Sequence, residues 1–158
     1  MSPIGKSERA TQQRIVALFR DELGYRYHGD WSDRANNHVE EALLTDWLKR
    51  RGISPEAIAR ALQVLRSEAS NHGRDLYANN KAVYGLLRYG IQVKTDASAP
   101  TESVPLVDWE HPERNDFSIA EEVTLAGQHE RRPDLVLYLN GIAIAVLELK
   151  NSRVSLGE

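Results

Sequence analysis

The pair Asn140-Gly141 constrains the fold of this chain more than any other feature of its sequence. An Asn-Gly pair between two apolar runs is the strongest short-range indication of a β-hairpin. The run before it, 135–139, is rich in strand-forming residues. The run after it, 142–147, is apolar at every position, which is typical of a strand buried on both faces. The sequence therefore predicts two antiparallel strands joined at Asn140-Gly141.

Charged residues stand at the open end of this hairpin. Asp134 precedes the first strand, and Glu148 and Lys150 follow the second. Because side chains alternate along a strand, Glu148 and Lys150 share one face. A plain two-residue loop would oppose Asp134 to Leu147 and put the two carboxylates on opposite faces. An odd-length loop or a compensating bulge would put both on one face, and we predict one of these two irregularities.

Two carboxylates on one face repel each other unless a cation lies between them. Mg²⁺ is held by a few carboxylates and waters when phosphate is its other ligand, and Mn²⁺ can substitute for it. An adjacent ammonium can orient an attacking water or stabilise charge on phosphorus. Asp134, Glu148 and Lys150 are therefore candidate catalytic residues for metal-assisted phosphodiester hydrolysis, with Asp134 and Glu148 as metal ligands. The alternative is an ion pair that closes the hairpin, but charge buried beside an apolar strand face favours the catalytic interpretation.

Composition narrows the class of protein. The chain has 158 residues, of which 41% are hydrophobic and 27% charged, as in a one-domain globular protein. It contains no cysteine and no membrane-length apolar run, so we expect a cytoplasmic protein that contacts no membrane. A net charge of −3 counts mildly against a stand-alone DNA-binding module. Without a Gly-rich phosphate loop ending in Lys-Ser or Lys-Thr, the chain itself is not expected to bind ATP.

Helical patterns come first along the chain, and strand patterns follow. The predicted helices cover 7–23, 36–50, 55–69 and 75–89, and the third begins with Ser54 as N-cap and Pro55 as its first residue. The predicted strands cover 91–94, 104–109 and 116–125, and 25–34 is interpreted as a short hairpin or loop. This order predicts an α/β domain with one sheet at its centre. We expect a single domain over 1–158, mainly helical in 1–74, with the sheet core and the catalytic hairpin in 75–158.

Four further carboxylates are possible metal ligands. Glu121 and Glu122 interrupt a strand pattern, so they should face opposite sides of the sheet, and one of them could reach the metal. A solvated strand end explains them equally well. Glu40 or Glu41, in a predicted helix, could supply a third ligand, although most helix carboxylates are simply exposed.

Two arginines flank the predicted site. Arg131 and Arg132 immediately precede Pro133 and could bind a DNA phosphate, for which the guanidinium is well suited. Ordinary surface charge is the simpler interpretation. None of the five histidines pairs with another at metal-ligand spacing, so we interpret them as structural or surface residues.

The motif itself is similar to that of a known family. Pro133-Asp134, thirteen further residues and then Glu148-Leu149-Lys150 resemble the PD-(D/E)xK signature of restriction-endonuclease-like nucleases, which lies on a hairpin. Nearly the whole chain resembles the N-terminal region of the motor (R) subunit of type I restriction enzymes. The segments that carry this resemblance are Ala10-Thr11-Gln12, Leu23-Gly24-Tyr25, Leu87-Arg88-Tyr89-Gly90, Asn115-Asp116-Phe117, Ala120-Glu121-Glu122-Val123-Thr124 and Arg132-Pro133-Asp134 through Lys150.

The resemblance implies a fold and a chemistry. The fold would be a restriction-endonuclease-like core, a mixed central sheet flanked by helices, with an N-terminal helical region. Asp134, Glu148 and the Leu149 backbone carbonyl would bind Mg²⁺, and Lys150 would position or activate water. The family's first helix sometimes offers an acid where this chain has Gln12 and Gln13, which leaves that ligand unplaced.

The resemblance also implies a larger assembly. We expect this chain to be an N-terminal fragment that lacks a C-terminal core helix and the ATPase/translocase domains, where ATP would bind. Its partners would be double-stranded DNA and the modification (methyltransferase) and specificity subunits. Alone, the fragment is expected to cleave DNA poorly.

Two other functions remain open from the sequence. The chain could be a non-catalytic docking module of the same complex, with the helical residues 7–73 carrying the contact. It could also be another PD-(D/E)xK nuclease, such as a Holliday-junction resolvase or a repair exonuclease. Metal binding separates the first alternative from a nuclease, and a preference for branched or end-containing DNA would indicate the second.

Overall fold

A computed structural model describes residues 8–124 and 132–149. Its contacts group the chain into two units: Met1–Glu40 with Asp116–Glu158, and Glu41–Asn115. Within the described residues no helix is long and apolar enough to cross a membrane. The expected α/β composition with a mixed sheet is observed.

The first unit is built on a four-stranded sheet. Helix α1 (Glu8–Ala17) continues into a π-helical segment, Leu18–Glu22; the strands are β1 (Arg26–Asp30), β4 (Phe117–Glu121), β5 (Leu135–Leu139) and β6 (Ile142–Leu147). Their order is β1-β4-β5-β6. Strand β1 pairs with β4 in parallel, and the β4–β5 and β5–β6 pairs are antiparallel.

One face of this sheet packs against α1. Val16 of α1 forms a buried cluster with Ile119, Leu135 and Leu137 of the strands. Partly buried apolar side chains surround the cluster: Ile15, Phe19, Tyr25, Tyr27, Leu147 and Leu149. Burying one such large apolar side chain contributes about 1.5–3 kcal/mol, so this contact fixes the face that α1 covers.

The hairpin contains both a tight turn and an irregularity. Leu139 pairs with Ile142, so Asn140 and Gly141 form a two-residue turn with φ of 52° and 84°, as a type I′ turn requires. Tyr138 then pairs with Ala143 but Leu137 pairs with Ala145, which leaves Ile144 as an extra residue on β6. The compensating bulge, one of the two predicted irregularities, is therefore confirmed.

The second unit is mainly helical. It contains α2 (Glu41–Arg50), α3 (Pro55–Ala69), α4 (Leu76–Tyr89), a two-stranded antiparallel sheet of β2 (Ile91–Val93) and β3 (Glu102–Val104), and a 3-10 turn, Pro112–Arg114. Ser54 and Asp75 cap α3 and α4, because their side chains accept hydrogen bonds from the Ala57 and Ala78 N–H groups. The predicted start of α3, with Ser54 as N-cap and Pro55 first, is thus confirmed, and the helix predicted over 75–89 is observed as α4.

Three element predictions were wrong. Residues 25–34 contain a strand, β1, because Tyr27 pairs with Ile119 of β4. The helix predicted from residue 36 begins at Glu41. The strand predicted over 104–109 ends at Val104, because Asp108 accepts the His111 N–H and donates its own N–H to the Asn115 side chain, which turns the backbone.

The prediction that β6 is buried on both faces was also wrong. Strand β6 lies at an edge of the sheet, and Ile144 and Val146 are 48% and 54% exposed. Only its start is covered, where the Ala143 N–H donates to the His38 carbonyl and the Glu40 N–H to the Gly141 carbonyl. In the observed grouping, α1 and β1 belong to the same unit as the four-stranded sheet.

Candidate active site

The bulge determines to which face of the sheet the two predicted metal ligands, Asp134 and Glu148, project. Leu135 pairs with Leu147, and the same register continued by one residue puts Asp134 opposite Glu148. Directly opposed residues of an antiparallel pair project to the same face. Leu147 and Leu149 pack against the α1 cluster, so Glu148 between them projects to the other face. The open end of the hairpin therefore carries both carboxylates on the sheet face away from α1.

A short hydrogen bond holds the Asp134 side chain at this end. Its Oδ2 accepts the Leu149 N–H at 2.5 Å. A hydrogen bond to an ionised carboxylate is stronger than one between neutral groups. Asp134 is partly buried and Glu148 is exposed, so one carboxylate is anchored in the hairpin while the other is open to solvent.

Glu121 and Glu122 lie close to the backbone of Asp134, but their carboxylates are held on the α1 side. The Glu122 N–H donates to the Asp134 carbonyl at 3.0 Å. Gln12 Nε2 donates to Glu121 Oε2 at 2.9 Å and lies 3.4 Å from Glu122 Oε1 and 3.5 Å from the Asp134 carbonyl. The expectation that the two glutamates face opposite sides was wrong, because the positive φ of Glu122, 52°, ends the extended backbone.

Tyr27 and Arg132 also contact the two glutamates. With Gln12, Glu121 and Glu122 they form one polar group beside α1. The Tyr27 hydroxyl donates to Glu121 Oε1, and Arg132 Nε lies 3.1 Å from Glu122 Oε2. Burial, and then the hydrogen bond to Glu121, raises the pKa of the Tyr27 phenol to about 12. Tyr27 is therefore a hydrogen-bond donor throughout the neutral pH range. Contacts with Gln12, Tyr27 and Arg132 hold the Glu121 and Glu122 carboxylates away from the sheet face that carries Asp134 and Glu148.

The structure separates Glu40 from Asp134. Glu40 is buried and accepts hydrogen bonds from Arg34 at 2.6 Å and from the Asn37 N–H at 3.1 Å. Its own N–H donates to Gly141 at the turn of the hairpin. The five residues of β5 separate that turn from Asp134 by about 17 Å. Glu40 therefore has a structural ion pair at the opposite end of the hairpin.

The remaining predicted residues have simple surroundings or fall outside the described residues. Glu41 belongs to the helical unit and pairs there with Arg66 at 3.1 Å. Arg132 is exposed and pairs with Glu122, which matches its interpretation as surface charge. Arg131 and Lys150 lie outside the described residues.

Two residues of the polar group were not chosen as site residues from the sequence. Gln12 is buried in α1 at the position where the resembling family sometimes has an acid, and this was its only signal. Tyr27 was interpreted as packing under a loop, and only the parallel pairing of β1 with β4 brings it to Glu121. Both depend on long-range contacts that no local pattern indicates.

The oxygen donors at this end suit a small divalent ion. Within residues 8–124 and 132–149, no group of three Asp, Glu, His or Cys side chains could hold a metal. Mg²⁺ usually takes one or two protein carboxylates and keeps several waters, so Asp134 and Glu148 are a sufficient protein contribution. A third carboxylate is not required by this chemistry.

The family model and the two relatives that match this chain are all described as parts of type I restriction enzymes. A family model described as "Type I restriction enzyme R protein N terminus" matches residues 5–158. The "Putative type I restriction enzyme MjaIXP endonuclease subunit" of Methanocaldococcus jannaschii is 29% identical over 160 residues, covering 92% of this chain and 15% of that protein. The "Type I restriction enzyme HindI endonuclease subunit" of Haemophilus influenzae is 28% identical over 155 residues, covering 91% and 14%. The chain thus spans about a seventh of these relatives, and it belongs to the family of type I restriction enzyme R protein N-terminal regions.

Proposed function

We propose that this region is the DNA-cleaving part of a type I restriction enzyme and hydrolyses phosphodiester bonds with bound Mg²⁺. The observation that carries the proposal is the bulge at Ile144, which puts Asp134 and Glu148 on the same face at the open end of the hairpin. Regular pairing of the same sequence from the turn onward would oppose Asp134 to Leu147 and turn Glu148 toward α1. The same motif on the same hairpin also supports a restriction-endonuclease-like core, with which the mixed sheet is compatible.

Asp134 and Glu148 would bind the metal, with the Leu149 backbone carbonyl as a third oxygen donor. The Leu149 N–H already orients the Asp134 carboxylate, which limits the side-chain entropy that metal binding has to remove. A bound Mg²⁺ would stabilise negative charge on the phosphate and lower the pKa of a bound water. Mn²⁺ would substitute because it prefers the same oxygen ligands.

Lys150 completes the proposed catalytic set. It lies two residues beyond Glu148, so an extended backbone would direct both side chains to the same face. Its ammonium would orient the attacking water or stabilise charge that develops on phosphorus. The role is carried over from the motif, because Lys150 lies outside the described residues.

The longer relatives supply the context of the reaction. Both are described as endonuclease subunits of type I restriction enzymes. We propose that the intact protein acts on double-stranded DNA together with modification and specificity subunits. Cleavage would be coupled to ATP-driven translocation by domains outside this chain, which carries no ATP-binding loop of its own.

Single substitutions in the intact restriction enzyme test this function. Asp134→Ala, Glu148→Ala and Lys150→Ala should each lower plasmid cleavage by about a hundredfold or more while leaving ATP hydrolysis unchanged. Glu113→Ala, at an exposed position of the helical unit, should cleave at the wild-type rate. Preserved cleavage in any of the three variants removes that residue from the mechanism.

The same experiment separates the alternative functions. Loss of complex assembly with normal cleavage in the hairpin variants would indicate a docking module instead of a catalytic domain. Preferential cleavage of branched or end-containing DNA by the wild-type protein would indicate a resolvase or repair nuclease.

A further inference from the structure

The outward face of α4 carries a stripe of alternating aromatic and basic residues. Tyr77, Lys81, Tyr84 and Arg88 follow one another at intervals of four, three and four residues, which places all four on one side of a helix. Tyr77 and Tyr84 are 75% and 61% exposed. The stripe extends for about 16 Å along the helix axis. Large exposed aromatic side chains in a row mark a binding surface more often than an ordinary solvated face.

Trp109 extends the stripe at its C-terminal end. The Trp109 Nε1–H donates to the Leu87 carbonyl at 2.9 Å, and the Arg88 guanidinium lies 5.3 Å from the centre of the indole ring. The tryptophan is nevertheless 49% exposed. A ring held by a hydrogen bond and a cation–π contact is already positioned for a partner, so little ordering remains for binding to impose.

The charged side chains within α4 are all basic, although Asp75 caps its start and Asp108 and Glu110 flank Trp109. Helix α4 contains no Asp or Glu between Leu76 and Tyr89. Neither Lys81 nor Arg88 forms an ion pair with any residue in the described part of the chain. Lys81, which lies between the two exposed tyrosines, and Arg88, which follows Tyr84, attract an anionic partner that also offers flat apolar rings.

We propose that the stripe Tyr77, Lys81, Tyr84 and Arg88, together with Trp109, binds an unpaired DNA strand. Bases stack on aromatic side chains, and lysine and arginine between the rings neutralise the phosphates. A paired duplex keeps its bases stacked on each other and would leave the tyrosine rings without a partner. Tyrosine, tryptophan and arginine are also common in protein interfaces, so a protein partner is one outcome of the test below. The choice of DNA as the polyanion rests on the proposed nuclease function.

Fluorescence anisotropy with a labelled single-stranded oligonucleotide tests the proposal. The 158-residue chain is titrated with chelator present, so that neither metal binding nor cleavage enters the measurement. Tyr77→Ala and Tyr84→Ala should each weaken binding about tenfold, while Tyr84→Phe should keep the wild-type affinity because stacking does not need the hydroxyl. Lys81→Gln should lower the slope of log affinity against log salt by about 0.7.

Matched controls use exposed residues elsewhere on the chain. Leu23→Ala removes an apolar side chain that is 54% exposed, and Lys49→Gln removes an exposed charge in the last turn of α2. Both should bind the oligonucleotide like the wild type. Circular dichroism of each variant establishes that its fold is retained.

Several results would overturn the proposal. They are the absence of binding to single-stranded DNA, affinity that the tyrosine substitutions leave unchanged, and tighter binding to the matching duplex. A change in sedimentation with unchanged DNA binding would assign the stripe to a protein interface instead. None of these results bears on metal binding by Asp134 and Glu148, so failure here is distinguishable from failure of the proposed nuclease function.

Discussion

Gln12 is the residue through which α1 reaches the candidate active site. Its amide nitrogen lies within hydrogen-bond range of Glu121 and Glu122, so a neutral donor separates two carboxylates. Gln12→Glu would replace the donor with a third carboxylate and leave a buried acceptor unsatisfied. We expect the free energy of unfolding to fall by about 1–3 kcal/mol.

Urea unfolding at pH 7 measures this effect. Gln13→Glu is the matched control, because the neighbouring position on α1 is exposed; it should change stability by less than about 0.5 kcal/mol. Equal stability of the two variants would show that Gln12 does not hold the glutamates.

Tyr138 offers a prediction of the opposite sign. The side chain is fully buried, its ring centre lies 5.5 Å from that of Trp31, and its hydroxyl has no hydrogen-bond partner among the described residues. Tyr138→Phe removes the unsatisfied group and should leave stability unchanged or raise it by about 1 kcal/mol. Tyr27→Phe removes a hydroxyl that donates to Glu121 and should lower stability by about 1 kcal/mol. Thermal unfolding of the two variants checks both changes in stability. A clear loss of stability in Tyr138→Phe would reveal a partner for the Tyr138 hydroxyl.

The hairpin is the element that positions the proposed metal ligands. Inserting one alanine after Ile144 should move the residues that follow by one position, turn Glu148 toward α1 and expose Leu149. We expect this insertion to weaken Mn²⁺ binding at least about tenfold and to destabilise the sheet, because a carboxylate would replace Leu149 beside the buried cluster.

A conservative substitution of Ile144 itself separates the effect of the strand register from the effect of the side chain. Ile144 is about half exposed, so Ile144→Thr should keep the bulge, the fold and metal binding. Normal Mn²⁺ affinity in the insertion variant, with circular dichroism like that of the wild type, would contradict the role of the strand register.

Local patterns predicted these elements well where local chemistry determines them. Ser54 and Asp75 begin α3 and α4 because their side chains cap the first turns, and the type I′ turn at Asn140-Gly141 follows from residues that tolerate positive φ. Parity along the strands predicted an odd-length loop or a compensating bulge if Asp134 and Glu148 share a face. Its position at Ile144 could not be predicted, because an apolar strand accepts the extra residue at several places.

The sheet unit is assembled from segments that are far apart in the sequence, which local patterns do not predict. The sheet unit joins the two ends of the described chain, since α1 and β1 pack with strands that begin about a hundred residues later. Pairing over that separation depends on the competition among all strands, which local periodicity does not report. For the same reason the ion pair of Glu40 and the contact of Gln12 with Glu121 were not predicted, whereas Asp134 and Glu148 followed from spacing along one hairpin.

Metal binding by the 158-residue chain tests the central claim most directly. Mn²⁺ is titrated by calorimetry into the wild type, Asp134→Asn, Glu148→Gln and the exposed control Glu113→Gln. The account predicts saturable binding to the wild type and the control, and at least about tenfold weaker binding to the two hairpin variants, because each loses one of few carboxylate ligands. Equal, weak binding to all four proteins would contradict it.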